Sequence, residues 1–297
     1  GRDIIAKNSR FTPEYTDERG YVPVESWIMS LTEASNDLPK DHEGITRLIT
    51  HDGNTVLLTD AVEAAGSELF GPYLHRWPLT KVLDIGGDPV VPSYGGEAEV
   101  PPIPFHMHSG DAVKGHITPP GKLEAYFFPP VDVPPYNRDL GRVVTRLGVK
   151  PETTKEDVIE AMRAFAQSDQ LYAYGVEFEI TPYDGWIVYP GCLHAPGPWP
   201  TFEIQLPQDD FHFAAWQLGV RAEGEELESL RKNFLLNGLE NEEDVFTQAV
   251  DWELSTDPDF ERKYRRPSRV LESGPWGKRY VQEVPWIPAF LKLFRLR

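Results

Sequence analysis

The chain has 297 residues with 28 prolines, 24 glycines and 12% aromatic residues, a composition that favours short strands and tight turns over long helices. Its formal net charge of −18 argues against nucleic-acid and anionic-membrane partners, which are themselves negatively charged. The single cysteine, Cys192, excludes an internal disulfide framework, and the absence of a secretory leader pattern or a long apolar run leads us to expect a cytoplasmic protein.

Short apolar runs separated by turn residues predict strands in the first hundred residues. The clearest are residues 22–24, 27–29 and 79–85. Between them, residues 61–69 are compatible with a short helix, for which Asp60 is the predicted N-cap.

The pattern changes to helical spacing over residues 153–167, where Val158, Met162 and Phe165 recur on one face. Thr153 and Glu156 fit a capping box at its start. We predict a helix inserted between strands.

Strand patterns return at residues 176–180, which alternate apolar and acidic side chains, and at residues 186–189. Beyond residue 223 the composition turns helical, with Leu227, Leu230 and Phe234 on one face.

A second helix is predicted over residues 242–252, a charged and turn-rich stretch over 257–277, and a last strand over 286–296. We therefore predict a mainly β fold with a barrel domain over residues 1–222, a helical insertion at about 152–168, and a helical segment over 223–297.

Three histidines and one glutamate form the candidate metal site. His106 and His108 are two residues apart, which places both side chains on one side of a strand. Glu124 lies in an otherwise apolar strand, where an unpaired carboxylate would cost several kcal/mol of desolvation. His194 follows the strand at 186–189. We expect this ligand set to bind Zn²⁺, and Mn, Fe, Co and Ni are the alternative metals.

These motifs, in this order, resemble the cupin superfamily and within it the type I phosphomannose isomerases. The matching segments are H-M-H at 106–108, G-K-L-E at 121–124, P-G-C-L-H-A at 190–195, V-E-S-W at 24–27 and F-E-I-Q at 202–205 with Asp209. The resemblance implies a double-stranded β-helix, that is, a jelly-roll barrel, with inserted and C-terminal helices. Residues 286–297 resemble the opening strand of the family's second cupin domain.

The chain departs from the family pattern at two places in the site. His106 stands where the family usually has glutamine, and Phe213, beside His212, stands near the position of the family's arginine. No arginine occurs between Arg163 and Arg221, which weakens the case for a phosphorylated substrate.

The resemblance implies a metal-dependent aldose–ketose isomerase that acts on a sugar or sugar phosphate through a cis-enediol. Glu203 is then the expected base, and Lys122, on the strand face of Glu124, the expected stabiliser of the enediolate. The expected substrate-binding residues are His212, His116, Trp27 and Trp199.

Two other functions fit the same ligands: an Fe(II) cupin dioxygenase and a non-catalytic sugar-binding cupin. The expected partner is a small sugar or sugar phosphate, with neither nucleic acid nor membrane, and a homodimer is left open.

Overall fold

The computed structural model describes residues 5–7, 25–34, 42–83, 104–108, 112–113, 116–117, 121–130, 143–164, 170–197, 199–210, 212–215, 224–225, 228, 241–283 and 293–296. For 5–7, 69, 73, 75–76, 112–113, 116–117 and 293–296 the description covers the backbone alone.

Strands dominate the described chain. In chain order they are β1 (Ile5–Lys7), β2 (Glu25–Ile28), β3 (Arg47–Ile49), β4 (Thr55–Leu57), β5 (Leu79–Leu83), β6 (His106–Met107), β7 (Ala112–Val113), β8 (His116–Ile117), β9 (Glu124–Phe127), β10 (Val144–Val149), β11 (Gly175–Glu179), β12 (Gly185–Val188), β13 (His194–Ala195), β14 (Thr201–Gln205), β15 (His212–Phe213), β16 (Arg269–Gly274), β17 (Gly277–Gln282) and β18 (Leu293–Leu296).

Ten of these strands form two five-stranded antiparallel sheets. The first sheet has the order β11-β10-β13-β6-β15 and the second the order β12-β9-β14-β5-β2. Three smaller sheets have the orders β1-β3-β4, β16-β17-β18 and β7-β8. The predicted mainly β fold is confirmed.

One apolar cluster draws side chains from both large sheets. It joins Tyr126 and Trp186 of the second sheet to Leu147 of the first, all at most 1% exposed. Because side chains on a strand alternate between its two faces, the residues in register with these also point between the sheets.

The helices of the described chain are α1 (Leu58–Phe70), α2 (Lys155–Arg163), α3 (Gln170–Tyr174), α4 (Glu242–Gln248), α5 (Trp252–Ser255) and α6 (Phe260–Tyr264), with a 3₁₀ helix at Gly71–Arg76. Helices α2, α3 and α4 cover the outer face of the first sheet. Met107 and Ala195 pack in one cluster with Val158 of α2 and Val245 of α4. The predicted helical insertion thus buries the outer face of the sheet that carries the histidines.

Two predicted helix caps are wrong. Helix α1 begins after Leu57, which provides no side-chain cap, and Asp60 lies inside its first turn. Helix α2 is capped by Thr154 and Asp157, one residue beyond the predicted pair. Both errors are local, since helices α1 and α2 themselves lie in the stretches predicted to be helical.

The C-terminal segment differs more from its prediction. Within the stretch 257–277, which we expected to be turn-rich, the structure has α6 and the strand β16. All six residues of β16 are exposed, so no apolar alternation marks this strand in the sequence. The predicted helix around residue 230, the start of the predicted last strand and the domain boundary at 222 lie outside the described residues, and the boundary stays a prediction.

Contacts join the described C-terminal part to the barrel. Gln282 donates a hydrogen bond from Nε2 to the carbonyl oxygen of Tyr126 at 3.0 Å. The backbones of Arg265 and Trp186 form an isolated antiparallel β-bridge. None of the helices in the described ranges is both as long and as apolar as a bilayer-crossing helix.

Gly148 provides a test of how closely β10 packs against α5. Its φ is +74°, and an added Cβ would lie 2.5 Å from the backbone oxygen of Ser255. We expect Gly148→Ala to lower the free energy of unfolding by about 3 kcal/mol, from backbone strain and overpacking together.

Gly53→Ala is the matched control in the same denaturation experiment. Gly53 has a similar φ of +81° but nothing within 4 Å of an added Cβ, so only the strain of about 1 kcal/mol is expected. Equal losses in the two variants would contradict the packing of α5 on β10.

Candidate metal centre

Three buried histidines meet on the inner face of the first sheet. His106 of β6 and His194 of β13 are cross-strand partners, and His108 follows β6 on the same side. Their ring centroids lie 4.1 Å (His106 to His194), 4.8 Å (His106 to His108) and 5.1 Å (His108 to His194) apart. One ligand nitrogen from each lies within 4.8 Å of the others.

Each of these imidazoles is oriented by a backbone carbonyl. Nδ1 of His106 lies 2.7 Å from the carbonyl oxygen of Pro104, and Nδ1 of His108 lies 2.5 Å from that of Asp210. Nδ1 of His194 lies 2.9 Å from the carbonyl oxygen of Cys192. Because a carbonyl oxygen only accepts, Nδ1 carries the proton in all three rings. The Nε2 atoms are then left with lone pairs.

Burial keeps two of the rings uncharged. It is the largest cause that lowers the pKa of His106 and of His108 well below the ordinary value of histidine. For His108 the ammonium group of Lys122 lowers the pKa further. Neutral imidazoles are the form that binds metal ions.

Glu124 brings a carboxylate from the second sheet to this cluster. Its Oε1 lies 3.1 Å from Nε2 of His194, and its Oε2 lies 3.4 Å from Nε2 of His108. The hydroxyl of Tyr126 donates to Oε1, and Nζ of Lys122 lies 2.6 Å from Oε2. Burial is the largest single influence and would raise the pKa of Glu124, but Lys122, His108 and His194 together outweigh it and hold that pKa well below the ordinary value.

The donor set fits a divalent cation. Lone pairs on imidazole nitrogens and the oxygens of a carboxylate that is 0% exposed face one another with no proton to share between them, an arrangement that is unfavourable without a positive charge. The three histidines are placed to bind a metal ion. The carboxylate oxygens of Glu124 lie 3.1 Å and 3.4 Å from the Nε2 atoms of two of these histidines.

Lys122 and Glu203 form a buried ion pair beside Glu124. Nζ of Lys122 lies 3.1 Å from Oε1 of Glu203, and both residues are at most 5% exposed. Burial and the charge of Glu124 raise the pKa of Glu203 to about 7, partly offset by Lys122 and Lys81. Burial would lower the pKa of Lys122, but the carboxylates of Glu124 and Glu203 raise it above its ordinary value.

The sequence reasoning missed Lys81, a second buried lysine. Nζ of Lys81 lies 3.2 Å from Oε2 of Glu25, 3.1 Å from Oδ1 of Asp209 and 4.5 Å from the ring centroid of Trp27. On β5, Lys81 is the cross-strand partner of Glu203. The signal was present, because Lys81 is two residues from both Leu79 and Leu83 and so shares their buried face.

The strand register separates His212 from the histidine cluster. On β15, Phe213 is the partner of His106 and His212 the partner of Met107. Met107 packs on the helix-covered face, so His212 is on that side while Phe213 shares the side of His106. This geometry argues against the substrate-binding role predicted for His212.

Neither of the two predicted substrate-binding tryptophans is placed to stack on a sugar. Trp27 is 0% exposed with Nζ of Lys81 over its ring. Trp199 is part of the core between the sheets and donates a hydrogen bond to the carbonyl oxygen of Pro129 at 2.9 Å. His116 is in β8, and its side chain lies outside the described residues.

The predicted mainly β cupin fold is confirmed, and the histidine cluster lies on an inner face of one of its antiparallel sheets. The fold is that of the mannose-6-phosphate isomerases. The structure of the enzyme from Bacillus subtilis is 14% identical, with a TM-score of 0.50 over 95% of this chain and 79% of that chain. A variant of the phosphomannose isomerase of Salmonella typhimurium is 10% identical, with a TM-score of 0.51 over 96% of this chain and 80% of that chain.

A candidate mannosephosphate isomerase from Archaeoglobus fulgidus is 15% identical, with a TM-score of 0.45; the match covers 78% of this chain and 65% of that chain. No protein-family model matches the chain, and no curated protein sequence matches it. At these identities the likeness concerns the fold alone.

Metal binding should be lost when one of the three histidines is removed. We expect His194→Ala to purify with less than about a tenth of the wild-type metal content, because two imidazoles and a carboxylate form an incomplete site. The wild type should melt at a lower temperature after chelation, whereas the melting temperature of His194→Ala should not respond. Elemental analysis and thermal melts measure both effects.

His212→Ala is the matched control, since His212 is also a strand histidine of the first sheet but lies on the face of Met107. Its metal content should equal that of the wild type. Full metal content in His194→Ala, or metal loss in His212→Ala, would show that the ion is held elsewhere.

Proposed function

We propose that the protein is a metal-dependent aldose–ketose isomerase that acts on a sugar or sugar phosphate through a cis-enediol. The observation that carries this proposal is the buried Lys122–Glu203 ion pair next to Glu124, 3.1 Å between Nζ and Oε1. It puts a carboxylate with a pKa near neutrality and a permanent cation beside the candidate metal ligands.

His106, His108, Glu124 and His194 are the proposed ligands, and Zn²⁺ is the proposed metal because three imidazoles and one carboxylate suit it. Mn, Fe, Co and Ni accept the same donors. When bound, a divalent ion supplies Lewis-acid polarisation of a carbonyl oxygen and the neighbouring hydroxyl.

Glu203 is the proposed base that carries a proton between C1 and C2. An isomerase works in both directions, so its base has to accept and return the proton at similar cost, which a pKa of about 7 allows. Glu203 is only 3% exposed, and this burial is the largest cause of its raised pKa.

Lys122 is proposed to stabilise the negative charge that develops on the enediolate oxygens. Its ammonium group remains charged at neutral pH, because the carboxylates around it raise its pKa. Since Glu124 and Glu203 hold Nζ in place, the cation needs little reorganisation when charge develops in the substrate.

The same four metal ligands would serve an iron-dependent dioxygenase. Oxygen chemistry on a metal does not require a base and an ammonium group buried beside the ligands, and this pair favours the isomerase. Incubation with aldoses in deuterated water separates the two, because only an isomerase places deuterium at C2 and only a dioxygenase consumes oxygen.

Glu203→Gln tests the base directly. The variant keeps the size of the side chain and removes its ability to take a proton, so we expect normal metal content and a loss of about 10²–10⁴-fold in deuterium incorporation at C2. Nuclear magnetic resonance of the sugar measures the incorporation.

Glu179→Gln is the matched control, an identical change at an exposed position of β11, and it should retain the wild-type rate. If Glu203→Gln also retains that rate on a sugar that the wild type accepts, the base is another residue.

The pH dependence should follow the ionisation of Glu203. A base has to be unprotonated to act, so kcat/KM should fall as the pH drops through the pKa of Glu203, which is about 7 in the metal-free site. A divalent cation beside Glu124 would lower this value, and the midpoint should therefore lie at or below about 7. Rates of deuterium incorporation between pH 5 and 9 test this expectation, and a limb centred above 8 would contradict it.

A further inference from the structure

The hydroxyl of Tyr126 lies beside the candidate metal ligands. It donates a hydrogen bond to Oε1 of Glu124, and the ring centroids of Tyr126 and His194 are 6.4 Å apart. Tyr126 is 1% exposed and Glu124 is 0% exposed. This hydrogen bond is therefore shielded from water, and it is stronger there than the same bond would be at the surface.

Strand alternation and register bring the two side chains together. Glu124 and Tyr126 are two residues apart on β9, so they project from the same face of the second sheet. Tyr126 is the cross-strand partner of Trp186 on one side and of Glu203 on the other. The tyrosine ring is thus flanked by a direct neighbour on each adjacent strand.

Packing fixes the tyrosine ring, and the ring in turn fixes the hydroxyl. Tyr126 belongs to the apolar cluster between the two large sheets, together with Leu147 and Trp186, all at most 1% exposed. A tyrosine side chain has two torsions and a glutamate side chain has three. The carboxylate of Glu124 is therefore the more mobile partner, and it has to orient towards the hydroxyl.

Each carboxylate oxygen of Glu124 has a donor and an imidazole nitrogen close by. Oε1 accepts from Tyr126 and lies 3.1 Å from Nε2 of His194. Oε2 lies 2.6 Å from Nζ of Lys122 and 3.4 Å from Nε2 of His108. An ionised carboxylate offers about four lone-pair directions, so both oxygens keep a lone pair for a metal ion while the two donors fix the plane of the group.

Core packing by itself does not call for this hydroxyl. Phe128, two residues further along the chain, lies in the same apolar cluster and is 1% exposed, and its ring has no polar atom. Burial of a phenolic hydroxyl costs free energy that a phenylalanine avoids, unless the hydroxyl finds a partner. The hydrogen bond to Glu124 is what distinguishes Tyr126 from a phenylalanine at this position.

We propose that Tyr126 is a positioning residue of the metal centre, whose hydroxyl holds the carboxylate of Glu124 in the orientation that binds the ion and so raises the affinity for that ion. Partners of this kind, which contact a ligand and not the metal, typically contribute to metal affinity. This role rests on the proposed function only through its four metal ligands, and on no step of the isomerisation.

Tyr126→Phe removes the hydroxyl and keeps the ring. Competition of the full chain with a chromophoric chelator measures the Kd for Zn²⁺, and we expect this Kd to rise by about 10–100-fold. A Kd equal to that of the wild type would overturn the proposal.

A spectroscopic measurement separates positioning from a general loss of structure. The visible absorption of Co²⁺ bound in place of Zn²⁺ depends on the ligands and on their geometry, so Tyr126→Phe should shift the absorption bands at full Co²⁺ occupancy. Unshifted bands would assign the loss of affinity to structure alone and would count against the positioning role.

Tyr174→Phe is the matched control. It removes a hydroxyl that accepts a hydrogen bond from Nε2 of Gln170 at 3.1 Å within helix α3, and both its Kd for Zn²⁺ and its Co²⁺ spectrum should equal those of the wild type. Equal effects in the two variants would mean that the loss of any tyrosine hydroxyl loosens the site, which contradicts a specific role for Tyr126.

The wild type provides a test that does not depend on the folding of a variant. In protein labelled at tyrosine, nuclear magnetic resonance should show the hydroxyl proton of Tyr126, correlated with its ring protons and protected from exchange with water, before and after zinc loading. Disappearance of this signal on zinc loading would show that the hydroxyl leaves Glu124 when the ion binds, and the proposal would then be wrong.

These measurements distinguish failure of this proposal from failure of the isomerase function. If no sugar exchanges deuterium while Tyr126→Phe weakens Zn²⁺ binding and shifts the Co²⁺ bands, the isomerase function fails and the role of Tyr126 holds. If the wild type exchanges deuterium and Tyr126→Phe binds Zn²⁺ with unchanged Kd, only the role of Tyr126 fails. A wild-type chain that binds no Zn²⁺ would overturn both.

Discussion

Three hydrogen bonds to backbone carbonyls determine what the buried histidines can do. Since Pro104, Asp210 and Cys192 offer only acceptors to the Nδ1 atoms, each ring has to present an Nε2 lone pair to the interior. Glu124 faces two of these lone pairs with a carboxylate. Acceptors that converge in a buried space repel one another, so the backbone geometry itself creates a demand for a cation.

The second sheet meets part of that demand through its register. Trp186, Tyr126, Glu203, Lys81 and Trp27 are successive cross-strand partners on β12, β9, β14, β5 and β2, so their side chains form one row across the inner face. The row places the ammonium group of Lys81 next to the carboxylate of Glu203. Removing either member would leave a buried charge without its neighbour, so the groups proposed for catalysis also belong to the stability of the sheet.

More of the candidate site than of its surroundings could be predicted from the sequence. The two-residue spacing of His106 and His108 and the single charge of Glu124 in an apolar strand were sufficient to predict where these three side chains point. Both arguments depend only on strand alternation and desolvation. The same reasoning applies to Lys81 in its strand. His212 shows the limit: whether it or Phe213 faces His106 depends on register, and a shift of one residue exchanges the two faces.

Register could not be read from the sequence because the partners are far apart along the chain. Lys81 and Asp209 are 128 residues apart and meet through a hydrogen bond of 3.1 Å; only the pairing of β5 with β14 brings them together. Pairing of this kind concentrates carboxylates as well as cations in the interior of a chain whose net charge is −18. Strand pairing, and not the order of residues along the chain, therefore decides which ionisable groups share one buried environment and shift one another's pKa values.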